Sequence, residues 1–186
     1  MLHTHAWYAE KGIRLIAGDA AVRIDRPRKQ IYTEQGVVVD YDRLILATGS
    51  KPFVPPIPGA DLKGVMSFRD IYDVNTMLDY CASHKNAVVI GGGLLGLEAA
   101  YGLKQRGMNV TVLHLTDRIM DRQLDAKAST MLKASFEAKG IEIITEANTE
   151  ALLGQEGHVQ QLRLKDGRTL PADLVIFAVG IRPNMS

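Results

Sequence analysis

Gly91, Gly93 and Gly96 stand at G-x-G-x-x-G spacing inside VVIGGGLLGLEAAYGL, residues 88–103. An apolar strand-like run precedes them and a helix-like pattern follows. In that setting the first glycine permits a tight turn and the second lets the backbone approach a pyrophosphate. The third lets the helix pack close to the strand, and Ala100, four residues on, is small enough to extend that contact. Gly92, Leu94 and Leu95 fill the rest of the turn. The helix that starts there would present unpaired N–H groups and a partial positive charge to phosphates. The chemistry expected is therefore the binding of a dinucleotide.

Four further side chains belong to the same expectation. A second strand, NVTVLHL (109–115), ends at His114, about 20 residues past the glycines, where an acid would accept from the ribose 2′-hydroxyl. His114 does not repel a 2′-phosphate as a carboxylate would, Arg118 can help bind one, and Asp117 can take the acidic role instead. The choice between NADH and NADPH stays open. Glu98 lies two residues past the third glycine, in the expected first turn of the helix between apolar Leu97 and Ala99, and is assigned to face the site.

The elements that must hold these residues read as follows. IRLIAG (13–18), AAVRID (20–25), KQIYTE (29–34) and VVVDYD (37–42) read as short strands, the last three separated by turn signals as an antiparallel meander. RLILATGS (43–50) is an apolar run that suits a strand buried on both faces. KPFVPPIPGADLKG (51–64) holds four prolines and two glycines and reads as an ordered connector. Residues 68–85 read as a helix with Ile71, Val74, Leu78 and Cys81 on its core face. Strand 86–91, helix 94–106 with Gly107 at its C-terminal cap, strand 109–115, helix 122–140 and strand 141–145 then alternate, as in a parallel sheet. In the second helix Leu124, Ala128, Met131, Leu132 and Phe136 share a face. Further strands run to residue 180, with Asp166-Gly167 as a hairpin turn.

Composition excludes several classes. The 186 residues carry a net charge of +1, so no basic excess points to nucleic acid or an anionic membrane. No stretch approaches the roughly 20 apolar residues of a membrane span, and the N-terminus lacks a secretory pattern. The single cysteine, Cys81, forms no internal disulfide and ligates no cluster, and a reducing, cytoplasmic location is the expectation. His3-x-His5 has the spacing of a chelating pair on a strand, but no metal site is assigned to it.

YDRLILATGSKPFVPPIPG, VVIGGGLLGLEAAYGLKQRGMNVTVLHL and LPADLVIFAVGIRPN occur in this order, and together they resemble the flavin-dependent pyridine-nucleotide oxidoreductases of the glutathione-reductase-like fold. In that family an NAD domain is inserted into an FAD domain, which accounts for a nucleotide turn in mid-chain. WYAEKGIRL, FRDIYDV, RQLD and AVGIRPN are similar in particular to the large subunits of assimilatory NAD(P)H nitrite reductases. Flavoprotein subunits of assimilatory nitrate reductase and rubredoxin or ferredoxin reductases share much of this pattern.

The resemblance implies an α/β fold: a Rossmann-like NAD(P)-binding domain (81–186) with a parallel sheet and a β-meander, joined to a partial FAD-binding domain (1–80). It implies that Thr48 and Gly49 approach FAD, with Ala47, Ser50 and Lys51 beside them and Ala21 near the adenine. It implies that Glu98 lines the nicotinamide pocket and that Ala178, Val179 and Gly180 lie beside the nicotinamide half. It implies siroheme and a [4Fe-4S] cluster outside these residues, and in the intact enzyme a homodimer with a small nitrite reductase subunit. The chain then reads as a fragment without a catalytic acid or nucleophile, because orientation of the two rings is the protein's task and the cofactors carry the chemistry. Two rivals stay open: a reductase for rubredoxin, ferredoxin or a molybdenum subunit, and a non-catalytic dinucleotide-binding module.

Overall fold

A computed structural model describes residues 3–184. The chain forms two compact units, Met1–Ala47 and Thr48–Ser186.

In the first unit a short helix, α1 (His5–Glu10), is capped by Thr4, whose hydroxyl accepts from the Trp7 N–H. His3 stacks on Trp7 with ring centroids 3.9 Å apart, and His5 opens the helix, so the two histidines are not on a strand. Strands β1 (Ala21–Asp25), β2 (Gln30–Thr33) and β3 (Val38–Asp40) form the expected antiparallel meander. The Asp25 carboxylate closes the first turn by accepting from the Arg28 N–H and guanidinium.

Two segments expected as strands are not strands. Residues 13–18 are irregular, with Ile13 and Leu15 exposed. Residues 43–49 are also irregular, and Ile45 and Leu46 are 87% and 67% exposed rather than buried on both faces. A buried strand needs a hydrogen-bonding neighbour on each side; among the described residues no strand pairs with 43–49, and only its last residues bond across, the Gly49 carbonyl accepting from the Asn184 N–H.

The second unit opens with β4 (Ser50–Pro52) and β5 (Val65–Ser67) at either end of the proline-rich stretch. Helix α2 (Ile71–Ser83) is fixed by a capping box between Asp70 and Asp73. Its inward face is Val74, Met77, Tyr80 and Cys81; Ile71 is exposed and Leu78 is at the rim. The Cys81 thiol lies 3.5 Å from the Met108 sulfur, and burial pushes its pKa up, as suits a packing residue.

Then β6 (Asn86–Ile90), α3 (Leu94–Gln105), β7 (Asn109–Leu113), α4 (Ala126–Glu137) and β8 (Ile141–Ile144) alternate as expected. Gly107 follows α3 at a φ of +87°. Helix α4 starts four residues later than expected because Asp125 caps it, accepting from the Ala128 N–H. Leu132 and Phe136 pack inward, whereas Met131 is exposed and Ser129 is buried, its hydroxyl donating to the Ile119 carbonyl at 2.7 Å. Strands β9 (Thr149–Gln155), β10 (His158–Leu164) and β11 (Thr169–Pro171) make an antiparallel sheet, with Gly167 at a φ of +90° in the β10–β11 turn. Finally come β12 (Leu174–Phe177) and β13 (Ile181–Pro183).

The parallel sheet runs β5-β12-β6-β7-β8, and β13 pairs antiparallel with β4. Alternate residues of the central strands point to opposite faces. Val89, Val112, Leu174 and Ile176 meet the helices through Leu97, Ala100 and Leu103, while Val88, Leu113, Val175 and Phe177 meet the antiparallel sheet through Leu152, Leu162 and Leu164. Both faces are covered, which is why these strands read as continuous apolar runs.

Candidate dinucleotide site

A cleft of about 670 Å³ opens where β6, β7 and β12 end. Gly91 and Gly93, Leu94 and Leu95, His114, and Ala178 to Gly180 line it. In an open parallel sheet the crevice at the carboxyl ends of the strands is the ligand-binding position.

Each glycine of the turn does a separate job. Gly91 has a φ of +123°, and a Cβ there would collide with the Ala178 carbonyl, so the turn after β6 requires glycine. A Cβ on Gly96 would collide with the Gly91 carbonyl, which is the close packing expected of the third glycine. Ala100, one turn on, is fully buried. A Cβ on Gly93 meets nothing within 4 Å: it would project into open space at the N-terminus of α3. No side chain caps that terminus, so its first N–H groups are available to an anion.

The Gly92 peptide is held on both sides. Its N–H donates to His114 Nδ1 at 3.0 Å, and its carbonyl accepts from the Met120 N–H at 2.9 Å. His114 is therefore in the site, but its Nδ1 is already engaged. Its Nε2 lies 3.5 Å from Asp121 Oδ1 without a hydrogen bond.

Other expected residues fall elsewhere. Arg118 does not line the cleft; it pairs with Asp117 at 3.3 Å, and its Nε is buried without a partner. Glu98 is exposed in the second turn of α3, not the first, and is outside the cleft lining. Thr48 and Gly49 lie beside Asn184, with the Thr48 hydroxyl donating to the Asn184 carbonyl at 2.6 Å. Ser50 opens β4 and accepts from Arg69, and Lys51 is exposed in the same strand. Ala47 ends the first unit, and Ala21 opens β1 within it.

The sequence reading missed one wall. Pro52, Phe53, Pro55 and Ile57 line the cleft from the proline-rich stretch. Its order was legible from the prolines; its place was not, because β4 reaches the site only by pairing with the distant β13. Asp121, Arg122 and Gln123 also line the cleft, the last two in the stretch expected to open a helix.

A parallel sheet with helices on one face and an antiparallel sheet on the other, carrying a three-glycine turn at the carboxyl end of β6, defines a dinucleotide-binding domain of the Rossmann type. The chain belongs to the pyridine nucleotide-disulphide oxidoreductase family, whose model matches residues 4–186. It is 50% identical over 178 residues to a nitrite reductase [NAD(P)H] of Bacillus subtilis, covering 96% of this chain and 22% of that protein. It is 38% identical to the nitrite reductase (NADH) large subunit of Escherichia coli, covering 95% of this chain and 21% of that one. Among solved structures, a ferredoxin reductase from Rhodopseudomonas palustris superposes with a TM-score of 0.91 at 30% identity, over 99% of this chain and 45% of that one. The expected resemblance to nitrite reductase large subunits and the expected fold class are thus borne out. The chain spans about a fifth of the length of those nitrite reductases. No helix among the described residues is long and apolar enough to cross a membrane.

Proposed function

We propose that this chain is the NAD(P)H-binding portion of a flavoprotein reductase which, in a longer protein, passes hydride from NAD(P)H to FAD and electrons on to a nitrite-reducing siroheme and iron–sulfur centre. The observation that carries the reading is the glycine turn, with open space at Gly93 beside the uncapped N-terminus of α3. The nitrite-reducing end rests on the similarity to nitrite reductases alone.

In this reading the amides of the turn and of Leu94 and Leu95 hold the pyrophosphate. Ala178, Val179 and Gly180 lie along the nicotinamide half, where Gly180, at a φ of +122° that favours glycine, presents no Cβ to a flat ring. Arg118, whose Nε is buried and whose guanidinium pairs with Asp117, serves the adenosine end, and Glu98 approaches only when the ligand is bound. FAD contacts fall to Ala47, Thr48, Gly49, Ser50, Lys51 and Ala21. Gly49 fits that role, since its φ is +74° and a Cβ there meets only the tip of Asn184. The division into an FAD portion (1–80) and an NAD(P)H portion (81–186), a cytoplasmic location, a homodimer and a small-subunit partner belong to the same proposal.

A second reading has its own support: the chain is 41% identical to the assimilatory nitrate reductase electron transfer subunit of Bacillus subtilis. That reading keeps the nucleotide site and changes the acceptor.

The test is titration of the protein with NADH and NADPH, followed by nicotinamide fluorescence. Saturable binding of either is expected, and Gly93→Val, whose side chain fills the space of the pyrophosphate, abolishes it while the circular dichroism is unchanged. Unaltered affinity in the variant overturns the site. Nucleotide binding by a full-length protein that never retains flavin supports a non-catalytic module instead.

A further inference from the structure

Gly92 is the one glycine of the turn that the G-x-G-x-x-G pattern does not require, and the structure gives it a reason. A Cβ on Gly92 would lie 2.8 Å from Ile119 Cγ2 and 3.0 Å from His114 Cγ. The stretch after β7 is pressed against this peptide. Ile119 is fully buried, and Met120 takes a φ of +51°, unusual for a residue with a side chain, with its N–H directed to the Gly92 carbonyl. On the other side the Gly92 N–H reaches His114 Nδ1. An imidazole nitrogen that accepts from an amide carries no proton. The neutral ring therefore has its hydrogen on Nε2, facing Asp121.

We propose that His114, as this neutral tautomer, is the positioning residue of the pyrophosphate turn, so that its protonation releases Gly92 and weakens dinucleotide binding. The proposal rests on the reading of the cleft as a dinucleotide site. In this role the acceptor nitrogen of His114 serves the protein's own backbone, which leaves only the Nε2–H to a ligand. A protonated ring would set Nδ1–H against the Gly92 N–H, two donors face to face, and would make an ion pair with Asp121 at the same moment. The Gly92 bond is lost and the Asp121 pair is gained, which gives the turn two states.

The charged groups around the ring are few. Asp121 is the only carboxylate within ion-pair distance of it among the described residues. Arg118 and Asp117, on the same stretch, pair with each other. Arg122, next to Asp121, is exposed on the cleft rim. The end of β8 meets His114 through backbone, Ile144 accepting its N–H and Ala147 donating to its carbonyl, while Glu146 is exposed. The glycine turn itself carries no titratable side chain.

The experiment measures the affinity of ADP-ribose, an acid-stable ligand that carries the pyrophosphate, by calorimetry between about pH 8 and about pH 5.5. Wild type is expected to lose about tenfold in affinity on acidification, the worth of one hydrogen bond to a positioned group. His114→Asn offers an amide oxygen near the position of Nδ1 that cannot titrate; it keeps the affinity at high pH and flattens the profile. His114→Leu offers no acceptor, binds about tenfold more weakly at high pH and is also flat. A flat wild-type profile, or an acid-dependent one that survives in His114→Asn, overturns the assignment of His114 alone. Nitrogen NMR of the ring at pH about 8 is expected to show the proton on Nε2, and a proton on Nδ1 overturns it too. Binding of neither ADP-ribose nor NADH at any pH overturns the reading of the cleft and this proposal with it.

Discussion

The meander of the N-terminal unit and the parallel sheet of the C-terminal unit are built from similar residues in different surroundings. Val22, Ile24 and Val38 of β1 and β3 are exposed, whereas Val88, Val89, Val175 and Ile176 of β6 and β12 are essentially inaccessible. Among the described residues of the first unit, the only buried side chains are Asp25 and Thr33, both polar. The second unit buries Met77, Leu97, Leu103, Phe177 and many more in two clusters, one on each face of its sheet. Full burial of such side chains contributes roughly 1.5–3 kcal/mol each, while small antiparallel ribbons without a packed face are marginal in water. Residue type makes a strand; a second layer makes it stable. The glycine turn sits on the strands with both layers, where a precise backbone can be held against a ligand.

Hydrogen exchange offers the largest test of this contrast. Amides of β6, β7 and β12 are expected to exchange at least about a thousandfold more slowly than those of β1, β2 and β3, because the former open only with the whole core. Equal protection would mean that the meander is packed as tightly as the sheet, and the comparison would fail. Truncation comes next. Leu174→Ala empties a fully buried site between β12 and the helices and is expected to cost about 3 kcal/mol in a denaturant titration. Leu46→Ala, at a position 67% exposed, is expected to change stability by no more than about 0.5 kcal/mol.

How far the sequence could be read follows the same division. The β6–turn–α3–β7 unit was legible because each signal in it is local: a glycine spacing, a helix period, a capping glycine at 107. The run at 43–49 has the composition of a buried strand, but composition cannot say whether a neighbouring strand exists to pair with it. The face of α2 is only partly legible: Val74 and Cys81 lie on the inward side, but the core takes Met77 rather than Leu78, a choice made by what the helix packs against and not by its own period. At the site, the tight turn at Gly91 and the close helix packing at Gly96 were legible from the glycine spacing. His114 was found by its position, but its bond to Gly92 was not, since that depends on the path of residues 115–120 and on a ring orientation that no spacing encodes. The β4 wall was invisible for a similar reason: its partner, β13, is over a hundred residues away in the chain.

The smallest expected effect lies in the meander and shows what holds a strand pair that buries no apolar side chain. Asp25 accepts from the Arg28 backbone N–H at 3.1 Å and from its guanidinium at 3.0 Å, and Arg23, 3.6 Å away, lies over the Tyr32 ring. The Arg28 backbone N–H, followed by its side chain, holds the Asp25 carboxyl below the usual carboxylate value. A folded-state pKa that is lowered stabilises the folded form at every pH above the ordinary value, and that contribution fades as the pH falls through the lowered one. The β1–β2 turn is therefore expected to loosen on acidification below about pH 4, seen as faster amide exchange at Arg28 and Lys29 relative to the amides of β6. Asp25→Asn keeps an acceptor for the backbone N–H but has no charge, and is expected to lose the acid step while loosening the turn slightly at neutral pH. An unchanged acid step in Asp25→Asn would show that the meander is held by something other than this cluster. The contrast between a unit closed by polar bonds and one closed by packing would then have to be redrawn.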